Sequence, residues 1–223
     1  DKSQIEELSK HVQAWKIGSG DITWIQMIEK LSKYDLPILI ATGASTQNEV
    51  NLAYETARKY NDNIIIMQCN TNYTASRENF KYINLNVLKS YKSNFPDTIL
   101  GLSDHTPGHS TVLGAVTLGA RVIEKHFTDD NNRVGPDHKF SMSPNEWKIM
   151  VEYTRELESS LGEETKKIED NEKETSIIQR RAIRASKDIL PENIIQKEDL
   201  VFLRPCPNGA LKPSEESLVI KKK

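Results

Sequence analysis

The 223-residue chain is short of cysteine, of net charge and of long apolar runs. Its two cysteines, Cys69 and Cys206, stand far apart with no paired spacing. That excludes a disulfide framework and a zinc knuckle, and fits reduced thiols in a cytoplasm. Lys+Arg number 30 against 32 Asp+Glu, a formal net charge of -2, and the Lys221, Lys222, Lys223 tail is too short to tip the balance. Nucleic-acid proteins gather a basic excess on one face, so no nucleic-acid partner is expected. No run approaches the ~18 apolar residues a transmembrane helix needs, so no helical membrane span is expected either. The chain opens on Asp1 rather than Met, and no secretory pattern follows it.

What is present is an alternation. Trp15–Ser19, Pro37–Thr42, Ile64–Cys69, Thr98–Ser103 and Arg121–Phe127 read as strands, and the middle three are almost continuously apolar, as parallel strands covered on both faces are. Helical stretches lie between them, over Ile22–Tyr34, Thr46–Tyr60, Ile83–Asn94 and Thr111–Gly119. In the second, Ser45 and Thr46 offer caps ahead of Glu49, close to a capping-box arrangement, and Val50, Leu52, Ala53 and Ala57 supply an apolar face. Strand then helix, repeated every 20 to 35 residues, predicts an α/β fold with a parallel sheet and favours a (β/α) barrel over a sheet with a topological switch. After a long helix, Trp147–Leu161, closed by Gly162, a charged linker is expected over 163–174. The composition then changes, and a small β-rich module is expected over 175–223.

The polar residues fall at or just past the C-terminal ends of these strands, where barrel enzymes keep their active sites. The strongest group is Gly101-Leu102-Ser103-Asp104-His105-Thr106, followed 21 residues after His105 by His126 in Glu124-Lys125-His126-Phe127. Parallel strands run about 4.8 Å apart, so two imidazoles at neighbouring strand ends can share one metal. Without a thiolate among the ligands, a harder divalent ion such as Mn²⁺ or Mg²⁺ suits better than structural zinc. The alternative is a pair of core histidines hydrogen-bonded to Asp104 and Glu124. Lys16, Ser19, Thr42, Ser103 and Lys125 form a second group, a cation and hydroxyls fit for a phosphate or carboxylate. Lys16 and Lys125 interrupt apolar strands, and a buried lysine must find an anion: a ligand, or Asp21 or Glu124. His109, past Pro107-Gly108, is not expected to join His105 on a helix, and His11 reads as a surface residue.

Several motifs then carry a resemblance in order and spacing: Lys16-Ile17-Gly18-Ser19-Gly20-Asp21, Ala41-Thr42-Gly43, Gly101 to Thr106, Ile123 to Thr128 and Gly135-Pro136-Asp137-His138. Together they resemble the sialic acid synthase family, which makes N-acetylneuraminate, legionaminate and pseudaminate. The stretch from Gln179 to Pro213 is similar to the start of that family's antifreeze-like (SAF) domain. The resemblance implies a (β/α)₈ barrel of which strands four to eight are present, with three further βα units ahead of Asp1, so that this chain alone lacks a full active site. It implies condensation of phosphoenolpyruvate with an N-acylated hexosamine of the N-acetylmannosamine type. His105 and His126 would hold Mn²⁺, or Mg²⁺ or Co²⁺, and with Lys125 and Glu124 make the catalytic group. Lys16, Ser19, Thr71 and Ser103 would hold phosphoenolpyruvate, and Asp21, Tyr73 and Asp137 the sugar, with Thr42 a further substrate-binding candidate. Arg204 would reach the partner's site in a domain-swapped homodimer. The family's usual His before Cys69 is Gln68 here, its Pro after Tyr73 is Thr74, and its Ser before Thr42 is Ala41, departures expected in the sugar and phosphate neighbourhood. A metal-dependent pyruvate aldolase and a non-catalytic carbohydrate-binding protein are the competing readings.

Overall fold

A computed structural model of the chain describes residues 4–74 and 76–221, so Asp1 and the Lys222–Lys223 end of the basic tail lie outside the described residues. The described residues up to Gly162 form one compact unit and those from Glu163 onward a second. In the first, five strands, β1 (Trp15–Ile17), β2 (Ile38–Ala41), β3 (Ile64–Cys69), β4 (Ile99–Asp104) and β5 (Ala120–Lys125), pair in chain order, all parallel. A short α1 (Ile5–Leu8) precedes them. Between strands run α2 (Ile25–Ser32), α3 (Gln47–Arg58), α4 (Val87–Asn94) and α5 (Ser110–Thr117), and α6 (Pro144–Leu161) follows β5.

Side chains alternate along each strand. One face, carrying Ile17, Ile38, Ile40, Ile64, Ile66, Leu100 and Leu102, is buried against Ile28, Leu31, Val50, Ala53, Leu88, Val112 and Ala115 of the helices. That outer layer is the hydrophobic core. The other face curls inward. Lys16 Nζ on β1 lies 3.0 Å from Glu124 Oε2 on β5. Four strand spacings of about 4.8 Å would separate those strands by roughly 19 Å in a flat sheet, farther than the two side chains reach. The sheet is therefore an arc of a barrel, and its inner face is a lumen. Gly101 makes a close approach: a Cβ there would stand 2.8 Å from Met67 Cγ and 2.9 Å from the Val122 carbonyl. Beside it the β4–β5 register slips, Leu100 pairing with Ala120 but Gly101 with Val122, so that Asp104 comes to lie opposite Lys125.

Element ends differ from the sequence reading for local reasons. A tight turn over Ser19–Asp21 delays α2 to Ile25, and one over Arg77–Tyr82 delays α4 to Val87. β5 stops at Lys125 because Met142 takes over as partner: its N–H donates to the His126 carbonyl, and its carbonyl accepts from Thr128 N–H. On α3 the Thr46–Glu49 capping box forms and Val50, Ala53 and Ala57 are buried, but Leu52 is 51% exposed. At about 100° per residue it sits some 200° around the helix from Val50, and Thr56 takes its expected place in the core.

In the second unit, α7 (Lys173–Ile178) leads to an antiparallel pair, β6 (Ala182–Ala185) and β7 (Leu200–Leu203). Ile183 N–H donates to the Leu211 carbonyl and extends the pairing. Residues 163–174 are grouped with this unit, and α7 begins at Lys173. Among the described residues, no helix is long and apolar enough to cross a membrane.

Ile66 is fully buried at the centre of β3, so Ile66→Ala should cost about 2–5 kcal/mol of stability, whereas Leu52→Ala should stay within about 0.5 kcal/mol. Urea unfolding midpoints at unchanged m-value check both.

Candidate functional site

Period-two alternation sends Ser103 and Glu124, paired in register, to the lumen, with Cys69 opposite Ser103 on the next strand. The next inward positions, one residue past the ends of β4 and β5, are His105 and His126, whose ring centroids are 5.1 Å apart. His105 Nδ1 lies 2.9 Å from the Asn70 carbonyl. A carbonyl only accepts, so Nδ1 carries a proton. His126 Nδ1 lies 3.3 Å from Asp137 Oδ2, which favours a proton on that Nδ1 as well. His126 thus keeps Nε2 for a further ligand, the arrangement that a carboxylate partner imposes on a metal-binding imidazole, while His105 has Cys69 as a second hydrogen-bond partner.

The electrostatics separate the pair. Burial and the neighbouring His105 charge lower the pKa of His126, against the pull of Asp137 and Glu124, so this ring favours its neutral, ligating form. For His105 burial also pushes down, but hydrogen bonding to Cys69 and to the Asn70 carbonyl, with the charges of Cys69 and Asp104, wins and raises it. Cys69 shows the converse: burial raises its pKa, and hydrogen bonds from His105, Ser19 and Ser103 outweigh that and lower it. Tyr73 lies 4.4 Å from the His105 ring, and Phe140 4.9 Å from that of His126, so an aromatic wall closes one side of the histidines.

Among the described residues no three His, Cys, Asp or Glu side chains gather as a metal cluster. Two facing imidazoles fit a divalent ion whose remaining positions belong to water and substrate, an open catalytic shell rather than a closed structural one, with the ion taking the place of the Cys69 hydrogen bond and the proton on His105. The unsatisfied Glu124 Oε2 adds a polar atom beside it: the atom is buried without a directed hydrogen bond, its contact with Lys16 being one of charge and distance only.

The anion group assembles where three strand ends converge. Gly43 N–H donates to Ser19 Oγ (3.1 Å), Ser19 Oγ–H points to Cys69 Sγ (3.4 Å), and Cys69 lies 3.9 Å from Thr71 Oγ1. Lys16 is paired with Glu124 and both are about one-third exposed. Asp21 is exposed in the turn after β1. Asp137 is held by its own loop: Ser141 N–H and Oγ–H donate to its carbonyl, Asn131 donates to the carbonyls of His138 and Ser141, and Thr128 Oγ1 lies 2.7 Å from His138 Nδ1.

Other residues of the sequence reading lie elsewhere. Thr42 is buried on the helix side, donating to the Met67 carbonyl and accepting from Tyr91 Oη–H. Lys125 is on the outer side too, paired with Asp104 at 2.6 Å rather than with Glu124. Gln68 also faces outward, donating to the Ile83 carbonyl, so that departure from the family pattern touches the packing of β3 and not the lumen. His109 packs on Tyr153, and His11 is exposed beside Glu7. Arg204 belongs to the second unit, where Nε–H donates to the Gln179 carbonyl. Sequence reasoning passed over Cys69, Phe140 and the steric role of Gly43. Counting alternate residues on β3 would have placed Cys69 inward.

Residues 1–166 match the family described as the NeuB family. The chain is 37% identical over 218 residues to the N,N'-diacetyllegionaminic acid synthase of Legionella pneumophila, covering 96% of this chain and 60% of that protein. Among solved structures it is similar to the spore coat polysaccharide biosynthesis protein SpsE of Bacillus subtilis, at 29% identity and a TM-score of 0.66, over 99% of this chain and 65% of that one. It is also similar to the N-acetylneuraminic acid synthetase of Leptospira borgpetersenii, at 28% identity and a TM-score of 0.71, over 78% and 60%. The chain thus spans about three-fifths of the length of such relatives.

A Cβ on Gly43 would collide with Thr71 Oγ1 and stand 2.8 Å from Ser19 Oγ and 3.0 Å from Cys69 Sγ. Overpacking by one methyl costs about 1–3 kcal/mol. Gly43→Ala is expected to displace both hydroxyls and to lower stability by about 1–3 kcal/mol, as read from the urea unfolding midpoint of the full-length protein.

Proposed function

The chain belongs to the NeuB family, and from that premise we propose that the protein is a cytoplasmic synthase. It condenses phosphoenolpyruvate with an N-acylated hexosamine of the N-acetylmannosamine type, giving a nine-carbon 2-keto sugar acid and inorganic phosphate. The observation that carries the reading is the pair of imidazoles, 5.1 Å apart with Nδ1 engaged on each. The names borne by its relatives, legionaminic acid synthase and N-acetylneuraminic acid synthetase, support the reaction class.

His105 and His126 would hold the divalent ion, Mn²⁺, Mg²⁺ or Co²⁺. When bound, such an ion supplies Lewis acidity toward an aldehyde oxygen and a template for orienting it. The chain's own groups do the rest. Lys16, Ser19, Thr71 and Ser103 receive the phosphate and carboxylate of phosphoenolpyruvate, and the incoming anion competes with Glu124 for Lys16. Tyr73, Asp21 and Asp137 orient the sugar chain, with Tyr73 and Phe140 limiting water beside the histidines. C3 of phosphoenolpyruvate then bonds to the aldehyde carbon, and the aldehyde oxygen takes a proton. Water adds at C2, the C2–O bond to phosphorus breaks, and phosphate leaves. Glu124, freed from Lys16 by the bound anion, is the carboxylate placed to take the proton of that water. The second unit is read as the beginning of an SAF domain, whose Arg204 enters the partner's site in a swapped homodimer.

In the full-length protein, phosphate release should require both phosphoenolpyruvate and an N-acylmannosamine, with a divalent ion present. It should fall by at least about a thousandfold in His105→Ala and in His126→Ala. Full activity in both variants removes the histidines from the reaction. Turnover of pyruvate in place of phosphoenolpyruvate, without phosphate release, would make the protein an aldolase.

A further inference from the structure

Lys125 is a poor candidate to touch substrate. Its side chain is 1% exposed and that of Asp104 is fully buried, and both lie on the helix side of strands whose other face forms the lumen. Lys125 Nζ donates to Asp104 Oδ2 and to the Thr106 carbonyl, each at 2.6 Å. Asp104 accepts further from Thr106 N–H at Oδ1 (3.1 Å), from Thr106 Oγ1–H, which lies 3.0 Å from Oδ1 and 2.9 Å from Oδ2, and from Thr111 Oγ1–H at Oδ2 (2.6 Å). A carboxylate has about four lone-pair sites, and with the Thr106 hydroxyl on Oδ1 these four donors fill them, two on each oxygen. The network is closed. It joins β4, β5 and the first turn of α5.

Its members adjoin the imidazoles along the chain. Asp104 and Thr106 flank His105, and Lys125 directly precedes His126. The Asp104–Lys125 register pair therefore ties the two backbones together one residue before each ring. A fully buried ion pair returns little net stability over apolar residues of the same size, so stability alone does not account for it. We propose that Asp104 and Lys125 are positioning residues: a buried cross-link on the outer face of β4 and β5 that holds His105 and His126, on the inner face, at the separation needed to share one ligand. The proposal rests on the metal-binding reading of those histidines for its function and on the geometry alone for its mechanics.

Two variants of the full-length protein separate these levels. Asp104→Asn/Lys125→Met removes both charges together, which avoids stranding one of them. Thr111→Val removes a single donor and leaves the ion pair in place, so it decides the matter should the double variant fail to fold. Metal-free, ¹⁵N-histidine NMR reads whether His105 keeps its proton on Nδ1. Loss of that tautomer preference in a variant of native circular dichroism is expected, and an unchanged spectrum overturns the proposal. Titration with Co²⁺ should give an affinity lowered about ten- to a hundredfold in the double variant and roughly two- to tenfold in Thr111→Val. The visible Co²⁺ spectrum should be altered in both. Unchanged affinity with lowered kcat would make Lys125 a substrate contact instead, and overturns the positioning role. Wild-type protein that takes up no Co²⁺ refutes the metal reading, while the NMR result still decides the cross-link.

Discussion

The alternation of side chains across a curled parallel sheet governs everything else in the first unit. Each strand spends every second residue on the core beneath the helices and the intervening residue on the lumen. Isoleucine and leucine on one face hold the helices; serine, cysteine, glutamate and histidine on the other make chemistry possible. Because neighbours on a strand face opposite ways, a residue cannot serve both layers. Lys125 and His126 are adjacent in sequence and yet belong to different environments, one buried in a closed network and the other half-open beside Tyr73 and Phe140.

Convergence at the strand ends is the second theme. The segments after β1, β2 and β3 meet at Gly43, where the absence of a side chain lets Ser19, Thr71 and Cys69 come together. The loop between Thr128 and Met142 is tied at its base by main-chain bonds and inside by Asn131, and so presents Asp137 to His126 without help from regular structure. Hydroxyls and an amide do locally what packing does for the core.

Much of this was legible in the sequence. Three of the five strands are almost purely apolar, so the parallel sheet followed from pattern, and the capping signal at Thr46 marks where α3 starts, whereas α6 starts at Pro144, ahead of the expected Trp147, because Ser143 and Glu146 form a capping box. The histidine pair was legible from spacing alone. Direction was harder. Thr42, Gln68 and Lys125 look from the sequence like rim residues, because each stands at or near a strand end, and only the phase of the alternation assigns them to the helix side. Lys16 and Lys125 both interrupt apolar strands and so look alike, although one meets Glu124 across the lumen and the other Asp104 behind it. A partner on another strand cannot be chosen from composition when two carboxylates lie within reach of the pattern.

The slip in register beside Gly101 accounts for the spacing that first drew attention to the histidines. At Leu100 the partner on β5 is 20 residues further along the chain; from Gly101 onward it is 21. The extra residue, Arg121, turns the phase of β5 by half a period relative to β4. Had the ladder continued unbroken, Lys125 would have come opposite His105 on the inner face, and His126 would have been sent among the helices. One added residue near the start of a strand thus selects which of two adjacent side chains, an ammonium or an imidazole, the lumen receives at its rim.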